Sequence, residues 1–199
     1  MAGWMRIAFV AVLAWAFATA ASAQQTERVA GTIARVDGAV LTVDAGGRQV
    51  QVSLADNVSV VGVVRKGLAD VKPGAFIGVG AIPQADGSQR AVRVNIFSES
   101  QRGQNEGHRA WVGAPQGTMT NATIDTSVAS VDGQVLVVKY RDGEKRIVVT
   151  PETTILASVP GERSEIKPGA AILITQAVKK PDGTLEAARV NVGRDGVVP

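Results

Sequence analysis

From residue 29 onward, apolar and polar residues alternate with period two in short runs separated by turn dipeptides, the pattern of strands with one buried face. The clearest run is 91–97, where Val92, Val94 and Ile96 share one face while Arg93 and Asn95 take the other; Ala188, Val190 and Val192 repeat it. Such runs predict strands at 29–36, 40–44, 49–54, 59–63, 76–81 and 90–97, then at 123–131, 135–140, 145–149, 154–158, 171–178 and 186–192. Asp-Gly at 37–38, 86–87, 132–133, 142–143 and 182–183, together with Gly46-Gly47, supplies the residues that tight hairpin turns accept. Segments 68–71 and 164–166 predict single helical turns, each stopped by the proline and redirected by the glycine of a Lys-Pro-Gly step.

The chain also repeats itself. Arg35-Val36-Asp37-Gly38 returns as Ser130-Val131-Asp132-Gly133, and Lys72-Pro73-Gly74 as Lys167-Pro168-Gly169, both 95 residues on. Asp86-Gly87 returns as Asp182-Gly183, and Ala91-Val92-Arg93-Val94-Asn95 as Ala187-Ala188-Arg189-Val190-Asn191, both 96 residues on, so one residue has been inserted between the two groups. Four landmarks in one order indicate a duplicated unit: residues 24–97 form a first β-barrel repeat, 98–121 a connector and 122–199 a second repeat. Five or six short strands in so small a unit leave open edges unless the sheet closes, which favours an all-β fold of two tandem OB-like barrels over a flat sandwich. Units this small are marginally stable alone, so the barrels are expected to bury surface against each other.

Residues 1–23 carry an early Arg6, an apolar run from residue 7 to 17, and Ala21-Ser22-Ala23, the layout of a cleaved secretory signal peptide. The competing reading is an uncleaved anchor, since 7–23 approaches the length that spans a bilayer. Cleavage predicts a chain from Gln24 that is periplasmic or secreted, and no later run is long enough for an integral span. Of 199 residues, 21 are Lys or Arg and 18 Asp or Glu, for a net charge of +3. Losing Arg6 with the leader lowers that to +2, too weak a surplus to imply nucleic acid. With no cysteine, disulfides contribute nothing and stability must come from packing and strand pairing.

The frame of Val-x-Gly-x-Val-Leu, Lys-Pro-Gly with hydrophobic alternation, and Asp-Gly-x-x-x-Ala-x-x-Val-x-Val resembles exported bacterial small-barrel repeats classed as a domain of unknown function. The resemblance covers about 29–97 and 122–192. It implies an OB-like barrel and an envelope location, and carries over no catalytic residue. Similar chains are sometimes labelled metal-transport components, a role as permease that the lack of later spans argues against.

The connector holds the one histidine and the one tryptophan outside the leader. Its Arg-Gly-x-x-Glu-Gly-His-Arg-x-Trp and Thr-Met-Thr-Asn stretches also resemble tandem members of that family. Arg102, Glu106, His108, Arg109 and Trp111 are the candidate ligand-binding residues: the arginines suit a carboxylate or phosphate, and Trp111 offers a flat apolar face. The structural alternative has Trp111 plugging the groove between barrels and Arg102 paired with Glu106. Glu106 and His108 are too few for a metal site, and no metal or cofactor is expected. Triad, nucleophile-elbow and phosphate-loop patterns are missing, the aspartates sit in turns, and four aromatics after the leader make no stacking platform. The basic stretch 139–146 suits either an anionic surface or a solvated hairpin. Together these lead to an expected non-catalytic binding protein of the bacterial envelope, not an enzyme, whose partner is an envelope protein or an anionic envelope component. The alternative is a periplasmic small-ligand or metal-binding protein that uses the connector.

Overall fold

The computed structural model describes residues 25–130 and 133–199; residues 1–24, with the leader-like segment 1–23, and residues 131–132, with the Asp-Gly turn expected at 132–133, lie outside the described residues in whole or in part. The chain is all-β. The strands are β1 (Thr26–Asp37), β2 (Val40–Asp44), β3 (Gln49–Arg65), β4 (Phe76–Pro83), β5 (Gln89–Ile96), β6 (Gly107–Ala110), β7 (Thr118–Ser130), β8 (Gly133–Tyr140), β9 (Gly143–Val149), β10 (Thr154–Pro160), β11 (Ala171–Lys179) and β12 (Leu185–Gly193). Single 3-10 turns stand at Leu68–Asp70 and Arg163–Glu165, where the sequence placed them, with a third at Glu99–Gln101. Among the described residues no helix is long and apolar enough to cross a membrane.

Two five-stranded rings close. The first runs β1-β2-β3-β12-β11 and back to β1, and the second runs β7-β8-β9-β5-β4 and back to β7. In each ring the third strand of one repeat lies parallel to the last strand of the other: β3 beside β12, and β9 beside β5. Each ring therefore draws strands from both sides of the connector at 98–121. Each barrel takes three strands from one repeat and two from the other. The physical cause is β3, read from sequence as two strands, 49–54 and 59–63, with a break at 55–58. It is one 17-residue strand whose later half, rich in valine, stays extended and carries the chain out of the first barrel into the second.

Each ring encloses its own core. Val29, Ile33, Leu41, Val43, Val52, Ile172, Ile174 and Ala187 fill the first; Ile77, Val79, Val94, Ala122, Ile124, Leu136, Val138 and Ile147 fill the second. Side chains this completely buried contribute roughly 1.5–3 kcal/mol each for the larger aliphatics. Ile166 and Val71, at the ends of the two helical turns, join the first and second cores respectively.

The rings meet where β3 and β10 pair antiparallel, with Val63 opposite Ser158. Ser158 lies 95 residues after Val63, the spacing at which the Lys-Pro-Gly landmarks recur. Val63, Leu156 and Val197 form a small third cluster at this seam.

Two registers differ from the sequence pattern. A bulge on β5 pairs Gly80 with Arg93 and Ala81 with Ala91, which turns Val92 outward at 41% exposure and sends Ala91 inward instead. In β7, Thr123-Ile124 occupies the place of Thr32-Ile33, and the β7–β8 hairpin runs two residue pairs further, Ala129 with Gln134 and Ser130 with Gly133. The extra residue of the second repeat is absorbed in β11, between Ile174 and Ala177.

Candidate functional site

The connector is an ordered strap whose last four residues, Thr118 to Asn121, already belong to β7. Its anchor is Arg102, which makes two 2.7 Å hydrogen bonds to the Glu99 carboxylate and donates to the Gly74 carbonyl at 3.0 Å. The expected pairing of Arg102 with Glu106 does not occur: Glu99 lies one helical turn before Arg102, and Glu106 is exposed. Arg102 holds Glu99 below the usual carboxylate range through that hydrogen bond. Gln104 ties the strap to both barrels, accepting from Arg189 of β12 at 3.0 Å and from Asn121 of β7 at 3.2 Å.

Beyond Gln104 the chain forms β6 along the free half of β7, with His108 opposite Thr120 and Arg109 opposite Met119. Strand alternation then separates the candidates. Trp111 does not plug the groove between barrels. Its indole covers the second barrel's outer wall at Gly80, where an added Cβ would lie 2.7 Å from the ring, and its own loop folds over it at Gly113 and Gly117. Arg109 is exposed and donates to the Asn105 carbonyl at 2.9 Å. His108 faces the opposite way, toward the end of the second barrel, with Nδ1 2.8 Å from Thr120 Oγ1 and its ring stacked on Tyr140 at 6.4 Å between centroids. Of the five candidates, His108, Arg109 and Trp111 line one open groove of about 730 Å3, while Arg102 and Glu106 stand apart from it.

The repeats show why the end of the second barrel is distinctive. Val29, Val50 and Leu185 seal the corresponding end of the first barrel, with Ala45 packed beside them. The matched positions in the second barrel are Thr120, Lys145, Gln89 and Tyr140, fixed by equivalent pairings such as Val29 with Ile174 and Thr120 with Val79. Thr120 is fully buried and Gln89 nearly so. Gln89 accepts a 2.7 Å hydrogen bond from Thr118, and Thr120 is satisfied by His108. Lys145 lies on the inward row, paired across strands with Val138, and forms no ion pair among the described residues. Burial first and the Lys145 charge second push the His108 imidazole below its ordinary value, so it is neutral near pH 7.

Reading the sequence for chemistry did not bring Thr118, Thr120, Gln89, Tyr140 and Lys145 together: the first two stood in the Thr-Met-Thr-Asn stretch and the last two in the basic stretch 139–146, while Gln89 was not singled out. The signal that finds them is the recurrence of sequence landmarks 95 or 96 residues apart, once strand partners are taken from both sides of the connector. Groups of three or more potential metal-ligating residues do not occur among the described residues. No family model, curated protein or solved structure matches the chain.

Proposed function

We propose that the protein is a non-catalytic binding module of the bacterial cell envelope, with the polar mouth of the second barrel, roofed by the strap at His108, as its ligand contact. The observation that carries this is the exchange of an apolar seal for Thr120, Gln89, Lys145 and Tyr140 on one of two otherwise matched barrels. Polar groups at core-facing positions cost stability relative to apolar ones, and such costs are retained where function requires them. His108 and Thr120 form a base-and-hydroxyl pair, but the hydroxyl has no exposure, so it suits anchoring the imidazole rather than attacking a substrate. The envelope location rests on the leader-like segment and on the resemblance to exported repeats.

The test restores the first barrel's residues, Thr120→Val, Gln89→Leu and Lys145→Val together, in a chain beginning at Gln24. Thermal unfolding is then followed with and without glucose, glutamine, inorganic phosphate and citrate. The reverted chain is expected to be at least as stable as the parent and to lose whatever shift one of these gives the parent. Earlier unfolding of the reverted chain by several degrees would assign the polar layer to the fold's own stability and sink the reading.

A further inference from the structure

The residues that the strand pairings place at this end of the second barrel, Thr120, Gln89 and Lys145, with Tyr140 and His108 beside them, include no carboxylate. Lys145 brings an ammonium to an inward-facing position that valine occupies in the first barrel, without an acid to pair it among the described residues. His108 Nδ1 is engaged by Thr120, and its Nε2 makes no hydrogen bond among the described residues. When the buried Thr120 hydroxyl donates to Nδ1, the imidazole must carry its proton on Nε2, which makes that nitrogen a donor. The adjoining groove adds the Arg109 guanidinium, and none of its lining residues is Asp or Glu. The nearest acids in sequence lie elsewhere: Glu106 is exposed outside the lining, and Glu144 sits opposite Lys139. Lys139 is itself committed to Asp125 at 3.1 Å.

We infer that the ligand of this mouth carries an oxyanion, a carboxylate or a phosphate, held by Lys145 and by Nε2 of His108. The inference rests on the proposed binding role and names its chemical class. A cation or an apolar ligand would leave Lys145 unpaired and desolvated, whereas an oxyanion would accept from the ammonium and the imidazole together. Arg109, exposed on the other face of β6, supplies charge at the rim rather than the grip on a carboxylate or phosphate expected from sequence.

The experiment follows the His108 ring signals and the melting temperature of the chain from Gln24 in added inorganic phosphate, citrate and, separately, glucose, with sodium chloride matched for ionic strength. Phosphatidylglycerol vesicles form a further arm that separates a lipid headgroup from a free anion. The expected result is a saturable shift of the His108 signals with at least one anionic probe, weakened tenfold or more in Lys145→Met and little changed in Arg146→Met, whose side chain lies on the outer face. Saturation by glucose with no response to anions would overturn the anionic class while leaving the binding role intact. Anion shifts equal in Lys145→Met and the parent would overturn the site. Silence from every probe would count against the binding role itself.

Discussion

Arg194 lays its guanidinium over Gly62, donates twice to Glu165 at 2.8 Å and once to the Pro160 carbonyl at 2.8 Å, and so fastens the C-terminal segment to the β3–β10 seam. The Arg194 hydrogen bonds draw the Glu165 carboxyl down to about 2. Because the folded value lies below the unfolded one, the stabilisation is present above about pH 4.5 and is lost as pH falls toward 2. Glu165→Gln is therefore expected to lower the melting temperature at pH 7 and to match the parent near pH 2, as followed by circular dichroism. His108 works in the same direction for a different reason. Its folded value is depressed, so the unfolded chain takes up a proton first and stability falls as pH drops below the ordinary histidine range. Removing the Lys145 charge with Lys145→Met should raise the His108 titration midpoint measured by NMR. An unchanged midpoint would show that burial alone depresses it.

The strap depends on close approach of an indole to a strand backbone. Gly80, on the outward row of β4, leaves room for Trp111, and an added methyl at 2.7 Å would displace the ring. Gly80→Ala should cost about 1–3 kcal/mol, the usual range for overpacking, and should red-shift the emission of Trp111 in the chain from Gln24. Unaltered emission would show that the ring relaxes without leaving the wall. Most strands were legible because period-two alternation and Asp-Gly turns are local signals, and Val40–Asp44 was bounded from sequence as it stands in the fold. The polar Asp56-Asn57 pair disguised the continuity of β3, since a strand that bridges two barrels has stretches with no core beneath either face. The short β6 carries no alternation of its own and exists because β7 extends past β8 and offers a free edge. Of the candidate site, the histidine, the exposed arginine and the tryptophan were legible as the unusual residues of an unusual segment. Their separation onto two faces of β6 was not, because without knowing that β6 is a strand nothing distinguishes 108 from 109 and 111.

Local pattern also could not tell which repeat's β11-type strand β1 would choose, since both repeats present the same apolar face at the same register. The exchange of strands has a direct test: cleaving the chain in the exposed strap after Gly103 yields halves that each lack two strands of one ring and three of the other. The two halves are expected to associate one to one and unfold together when co-expressed, while neither alone gives a monomer with a cooperative transition. A folded, monomeric half from residue 25 to 103 would show that one repeat can close its own ring. Synthesis order supplies one more consequence of the pairing of β3 with β12. Val52 waits for Leu185, so the first barrel cannot close until β12, the last of the described strands, has left the ribosome. At roughly 5–20 residues per second that interval is on the order of ten seconds, during which the amino-terminal half has only its own pairings, β1 with β2, β2 with β3 and β4 with β5, and neither ring closed.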